Sequence, residues 1–189
     1  MPLIYNWLPA SDKKEDNFIA GLSMGGNGAL MFGLGYPDLF GGVAVLSSTA
    51  REIEYLRPYA SMSSEEFRTA AQDPIKFPGP NGNGMRLKEI NQVAKYKTVQ
   101  IFLDSYENAW DRFPEVVKAG KLPKMYVSCG TKDKNVYPRF LRFKKYAESL
   151  NADVKFEEEE GYCHEYALWD ISIQKALDYF NILKEHTPF

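Results

Sequence analysis

Cysteine and histidine are scarce in this chain, and each scarcity narrows what it can do. Two cysteines occur in 189 residues, Cys129 and Cys163. That is too few for a disulfide scaffold or a cysteine-based zinc module, and a reducing, cytoplasmic setting is expected. Two histidines occur, His164 and His186, so chemistry that needs an imidazole has two places to be. No apolar run approaches the roughly 20 residues of a membrane span. The opening Met1-Pro2-Leu3-Ile4-Tyr5 lacks the basic region and small-residue cleavage site of a secretion signal. Charge of one sign is lacking too: 23 Lys and Arg stand against 25 Asp and Glu, a net charge of −2. With no basic stripe, nucleic acid is not an expected partner, and neither a membrane, a metal nor a cofactor is expected. No internal repeat is visible.

What is present is ordinary in bulk. A hydrophobic share of 44% and a charged share of 25% describe a globular chain whose length suits one domain with one core. Twelve Phe, twelve Tyr and three Trp could furnish that core or a pocket wall.

The chain divides by texture into three parts. Residues up to about 50 read as strand, turn, helix, strand. Phe18-Ile19-Ala20 is a short apolar run suited to a buried parallel strand. A glycine-rich helix is predicted from Met24 to Leu34, with Gly35 and Pro37 as stop signals, and Val43-Ala44-Val45-Leu46 is the next strand. Residues 51–122 mix short helical patterns with loops, including Pro78 to Gly84, and read as an excursion over the sheet. Ser63 and Glu66 there have capping-box spacing. The last part returns to alternation. Met125 to Cys129 is a strand. Phe140, Phe143, Ala147 and Leu150 mark one face of a helix with Pro138 near its start. Val154 to Glu157 alternates like a less buried strand near an edge. Trp169, Ile173, Leu177, Phe180 and Leu183 line one face of a closing helix. Strands alternating with helices imply a parallel sheet covered on both faces, with its site at the carboxyl ends of the strands.

Gly21-Leu22-Ser23-Met24-Gly25 carries the chemistry. A serine hydroxyl is a weak nucleophile until a base takes its proton. In a G-x-S-x-G turn the serine stands at the strained apex between strand and helix, and the glycines are expected to remove colliding side chains. Gly26 and Gly28 extend the pattern into the helix. Each costs about 1 kcal/mol against Ala there, which suggests close backbone packing. Of the two histidines, His164 follows a predicted strand, in Gly161-Tyr162-Cys163-His164-Glu165. His186, near the C-terminus, is expected to be a solvated residue. Asp133, in Gly130-Thr131-Lys132-Asp133, is placed to orient the imidazole. Asp153 lies at the wrong end of its strand, and Asp104 and Asp111 belong to the excursion. The order Ser23, Asp133, His164 is the one an α/β-hydrolase requires. The Met24 backbone N–H is the expected oxyanion donor. Trp169, Tyr166 and Trp110 are the expected substrate-binding side chains, and Tyr55, Tyr59, Phe67, Phe102 and Tyr106 of the excursion either line a pocket or fill a core. Cys129 and Cys163 read as unlinked thiols, with a redox pair beside His164 as the sharper alternative.

Three segments together resemble a known family. Phe18 through Leu30 is similar to the nucleophile segment of the esterase D-like esterases of the α/β-hydrolase fold. Leu122 through Asp133 resembles their acid strand and loop, and Gly161 through Tyr166 with Trp169 resembles their histidine motif, in which a Trp usually stands at the place of Tyr166. The tributyrin esterases and S-formylglutathione hydrolase-like esterases are the nearest in pattern. The resemblance implies a serine carboxylesterase acting on a small acyl ester without a cofactor. It also implies that family strands which precede the nucleophile turn are not in this chain, leaving about four parallel strands. A strand buried in the family then becomes an exposed edge, and a homo-oligomer formed through it is expected. The second oxyanion donor would come from the same absent strands. A non-catalytic relative and an acyltransferase of the same fold are the competing expectations.

Overall fold

The computed structural model describes residues 11–75, 77, 84, 85 and 87–182, apart from the side chain of residue 88. His186, Leu183, Met1 to Tyr5 and the loop Pro78 to Asn83 lie outside the described residues. The described residues form two compact units, those up to Ala50 with those from Phe113 onward, and those from Arg51 to Arg112.

The first unit holds the sheet. Its strands are β1 (Phe18–Leu22), β2 (Gly42–Leu46), β3 (Lys124–Gly130) and β4 (Val154–Glu159), all parallel and in the order β1-β2-β3-β4. The runs predicted as strands are those strands, but β1, expected to be buried, is buried at no position because among the described residues it has a neighbour on one side only. Parallel pairing on both sides explains why β2 and β3 are apolar on both faces. Register divides the side chains into two layers. Ala20, Ala44 and Tyr126 are aligned, as are Leu22, Leu46 and Ser128. This layer meets the closing helix through a core of Ala44, Leu46, Tyr126, Ala176 and Phe180. The other layer contains Val43, Met125, Val127 and Phe156, and Phe156 packs edge-on against Phe140 and Phe143.

Helix α1 (Met24–Gly35) follows β1, and the excursion carries α2 (Ser64–Ala70), α3 (Leu87–Val93) and α4 (Val99–Leu103). Helix α5 (Ala109–Lys118) starts in the excursion, while α6 (Tyr137–Ser149) and α7 (Tyr166–Tyr179) flank the sheet. In α6 three residues of the predicted stripe are buried, Phe140, Phe143 and Ala147, while Leu150 is the partly buried C-cap. In α7 it is offset by one residue. The fully buried line is Leu168, Ser172 and Ala176, and Trp169 and Ile173 are only partly buried. Ser172 and Ala176 are small, so the helix axis can approach the sheet on that line. The larger Trp169 and Ile173 are displaced to its flank.

The unit of residues 51–112 has a core of its own, with Phe67, Phe77, Val99 and Phe102 buried in it. The capping box is present: Ser63 Oγ accepts from the Glu66 N–H, and the Glu66 carboxylate accepts from the Ser63 N–H. The unit ends at Arg112, earlier than the expected residue 122, because Phe113 packs against Phe143 and Tyr146 of α6.

Candidate active site

Four strands end at one rim of the sheet, and the site is built from the loops and turns that leave them there. Ser23 stands between β1 and α1 with φ 51° and ψ −114°, a conformation that costs a non-glycine residue about 1–3 kcal/mol. Its N–H donates to the Leu46 carbonyl at 2.8 Å, which fastens the strained turn to the end of β2. Gly21 is obligatory here, since a Cβ on it would come within 2.2 Å of the Gly25 carbonyl oxygen. Gly26 is similarly enclosed, 2.8 Å from Ser48 Cβ. Gly25 and Gly28, expected to relieve crowding, instead face open space. The crowding lies on the sheet side of α1, and these two positions point away from it.

Asp133 follows β3. Its side chain is 1% exposed. Oδ1 accepts the N–H groups of Asn135 and Val136 at 3.0 and 2.9 Å, so a buried carboxylate is held by the backbone of its own loop. The histidine loop is laced to this one. Thr131 N–H donates to the Glu159 carbonyl, Lys132 N–H to the Tyr162 carbonyl, and Gly161 N–H to Thr131 Oγ1. Gly130 permits the approach, because a Cβ there would lie 2.3 Å from the Tyr162 oxygen.

The lacing brings His164 between the other two groups. Its Nδ1 is 2.7 Å from Asp133 Oδ2, and its Nε2 is 2.8 Å from Ser23 Oγ. The tautomer with the proton on Nδ1 donates to the carboxylate and leaves Nε2 as an acceptor for the serine hydroxyl. The His164 side chain is 36% exposed, so a reacting group can reach the serine side of the ring.

Met24 is the first residue of α1, where a backbone N–H has no intrahelical acceptor. Trp169 and Tyr166 stand beside the histidine. The Trp169 ring lies 5.1 Å from His164 at 89°, and Tyr166 lies 4.9 Å from Trp169 at 80°. Between β1 and α7 is a shallow depression of about 520 Å³ lined by Ala20, Leu22, Leu46, Tyr166, Trp169 and Ile173, with Asp170 also on its wall. Trp110 belongs to the other unit. It packs on the separate core of residues 51–112, as do Tyr55 and Tyr59, while Phe67 and Phe102 are inside that core. Asp104 and Asp111 are engaged with Gln100 and with Arg57 and Asn108 in the same unit, and Asp153 precedes β4 at the far rim.

Both cysteines are free thiols, Cys129 buried and Cys163 exposed. Burial, reinforced by the Asp133 charge, pushes the Cys129 thiol up to about 12. Ser47 had no signal in the sequence, yet it is central. It is a buried non-glycine residue at φ 47° directly after β2, and its Oγ accepts from the Trp169 indole N–H at 2.9 Å. A serine after an apolar strand is too common a pattern to single out.

A parallel sheet between helices, with a serine at a strand–helix turn and an acid and a histidine after later strands, defines an α/β-hydrolase. Solved structures of that fold superimpose: the fluorophosphonate-binding serine hydrolase F of Staphylococcus aureus, substrate-bound, with TM-score 0.65 and 25% identity over 95% of this chain and 59% of that one. An S-formylglutathione hydrolase from the same organism gives 0.62 and 23%, over 95% and 56%. The chain belongs to the esterase family described as "Putative esterase", which matches residues 1–181. Within it, an acetyl esterase of Caldicellulosiruptor saccharolyticus is 30% identical over 181 residues, 92% of this chain and 57% of that protein. The chain thus spans a little over half the length of these relatives. The family read from the three motifs is the one found. No helix among the described residues is long and apolar enough to cross a membrane.

Proposed function

We propose that this chain acts as a serine carboxylesterase on short acyl esters. The observation that carries the reading is the continuous hydrogen-bonded line from Ser23 Oγ through both His164 nitrogens to the buried Asp133. His164 Nε2 takes the hydroxyl proton as Ser23 Oγ attacks the ester carbonyl, and the imidazolium then protonates the departing alcohol. Asp133 holds the tautomer and offsets the charge formed on the ring. Water repeats the sequence on the acyl-enzyme, releasing the acid and restoring Ser23. The Met24 N–H donates to the oxyanion, a contribution of about 3 kcal/mol for one such donor. The apolar depression beside Leu22 and Leu46 suits a short acyl chain, with Trp169 and Tyr166 as its wall. Asp170 at its edge disfavours an anionic one. The acetyl esterase relative points to the same small acyl group.

A fluorophosphonate probe is expected to label Ser23, and p-nitrophenyl acetate to be cleaved faster than longer-chain esters. Ser23→Ala abolishes both. A folded chain that neither reacts with the probe nor cleaves acetate overturns the proposal.

A further inference from the structure

The Trp169 indole has its one polar group committed. Its N–H donates to Ser47 Oγ at 2.9 Å, which leaves only its carbon surface for a ligand and gives the ring a fixed plane. That plane meets the His164 ring at 89°, with centroids 5.1 Å apart. Ser47 is itself held from two sides. It is 1% exposed with φ 47°, and its N–H donates to the Ser128 carbonyl at 2.8 Å. The residue before it, Leu46, accepts the N–H of Ser23 at 2.8 Å. The backbone of the nucleophile and the brace of the base therefore end on adjacent residues of one strand terminus.

Resting on the esterase reading, we infer that Leu46-Ser47 is the common anchor that sets the spacing of Ser23 and His164, with Ser47 and Trp169 as positioning residues. The hydrogen bonds of His164 to Asp133 and Ser23 are made by its two ring nitrogens. They fix its two nitrogens but leave the ring free to tilt about the line joining them. A ring packed perpendicular to it opposes that tilt, and an indole can do so only while it is itself held. The sub-ångström precision that proton transfer needs is thereby passed from the sheet to the base through one hydroxyl.

The test compares Trp169→Phe, which keeps a ring without the donor, Ser47→Ala, which removes the acceptor, the pair together, and Ser47→Gly. Each single variant is expected to lower kcat about tenfold with KM changed less than twofold, and the double variant to fall no further than either. Ser47→Gly relieves the left-handed backbone while losing the hydroxyl, so it is expected to unfold at a higher temperature than Ser47→Ala yet show the same loss of kcat. A merely structural role would make activity follow stability instead. The chain's two histidines allow a second readout that needs no turnover. In nitrogen-15 spectra of the histidine-labelled whole chain, assigned with His186→Gln, the His164 ring signals should move and its Nδ1 proton exchange faster with water in Trp169→Phe and Ser47→Ala, with His186 unchanged. Unaltered His164 signals in both variants, or effects that simply add in the double variant, overturn the inference. Failure of the esterase reading is seen separately, as a wild-type chain that the fluorophosphonate does not label.

Discussion

β1 and β4 are both edge strands among the described residues, yet they are made differently. β1, Phe18-Ile19-Ala20-Gly21-Leu22, holds no charged side chain, and Phe18 and Leu22 are 38% and 40% exposed. β4 alternates, and its outer positions are tied into ion pairs: Glu158 with Lys144 on one layer, Glu157 and Glu159 with Lys175 on the other. Composition alone makes β1 resemble β2, which is buried at every position. β4 is written as an edge and β1 is written as an interior strand. Ser23 stands at the end of the one, and Asp133 and His164 follow the strands on the side of the other, so the two halves of the sheet are expected to differ in their tolerance to change.

The largest effect is expected where the charged half meets the chemistry. Asp133→Asn should lower kcat on p-nitrophenyl acetate by about 10⁴-fold, because an amide stabilises the wrong histidine tautomer. A steady-state assay on the folded variant measures it, and a loss under tenfold would remove Asp133 from the relay. Packing comes next. Phe140→Ala, fully buried against Phe156, should cost about 3–5 kcal/mol in urea unfolding, whereas Phe18→Ala on the bare edge should cost about 1 kcal/mol. Equal costs would mean that β1 is buried in solution. Association sharpens the point: an uncharged free edge invites pairing with a second copy. Sedimentation should show self-association in the wild type that Phe18→Lys weakens, with Lys155→Ala on β4 leaving it unchanged.

The smallest effect is that of acid. The Lys155 ammonium, joined by Lys175, holds Glu157 below the ordinary carboxylate value, and Lys144 with the Tyr137 hydroxyl does the same for Glu158. A carboxylate lowered in the folded state adds stability above its unfolded value, and that contribution is lost as pH falls through the folded value. Both groups are partly open to solvent, so the change is modest. The midpoint of unfolding should drop between neutral pH and about pH 3, and Glu158→Gln should reduce the drop. Phe18→Lys should not, since β1 carries no group that titrates there.

Much of this was legible in the chain. The strands were short, apolar and separated by helical periodicities, and Ser23, Asp133 and His164 each followed one of them. Those signals are local, so they survive in one dimension. The misplaced details were all matters of approach. The stripe on α7 ran one residue aside because Ser172 and Ala176, poor hydrophobes by type, let the helix come close. Gly25 and Gly28 look like Gly21 and Gly26 in sequence, and only the direction of each absent side chain separates them. Ser47 was invisible because its importance lies in a left-handed φ and in a donor 122 residues away along the chain.

Ser23 and His164 are 141 residues apart in sequence, and strands β2 and β3, which lie between them in the sheet, are joined only across the whole stretch from Leu46 to Lys124. Bringing ends that far apart together slows folding. Without the contact to His164, Ser23 presents an ordinary alcohol. On the esterase reading, the onset of probe labelling after dilution from denaturant is therefore expected to report when these two distant parts of the chain have come together.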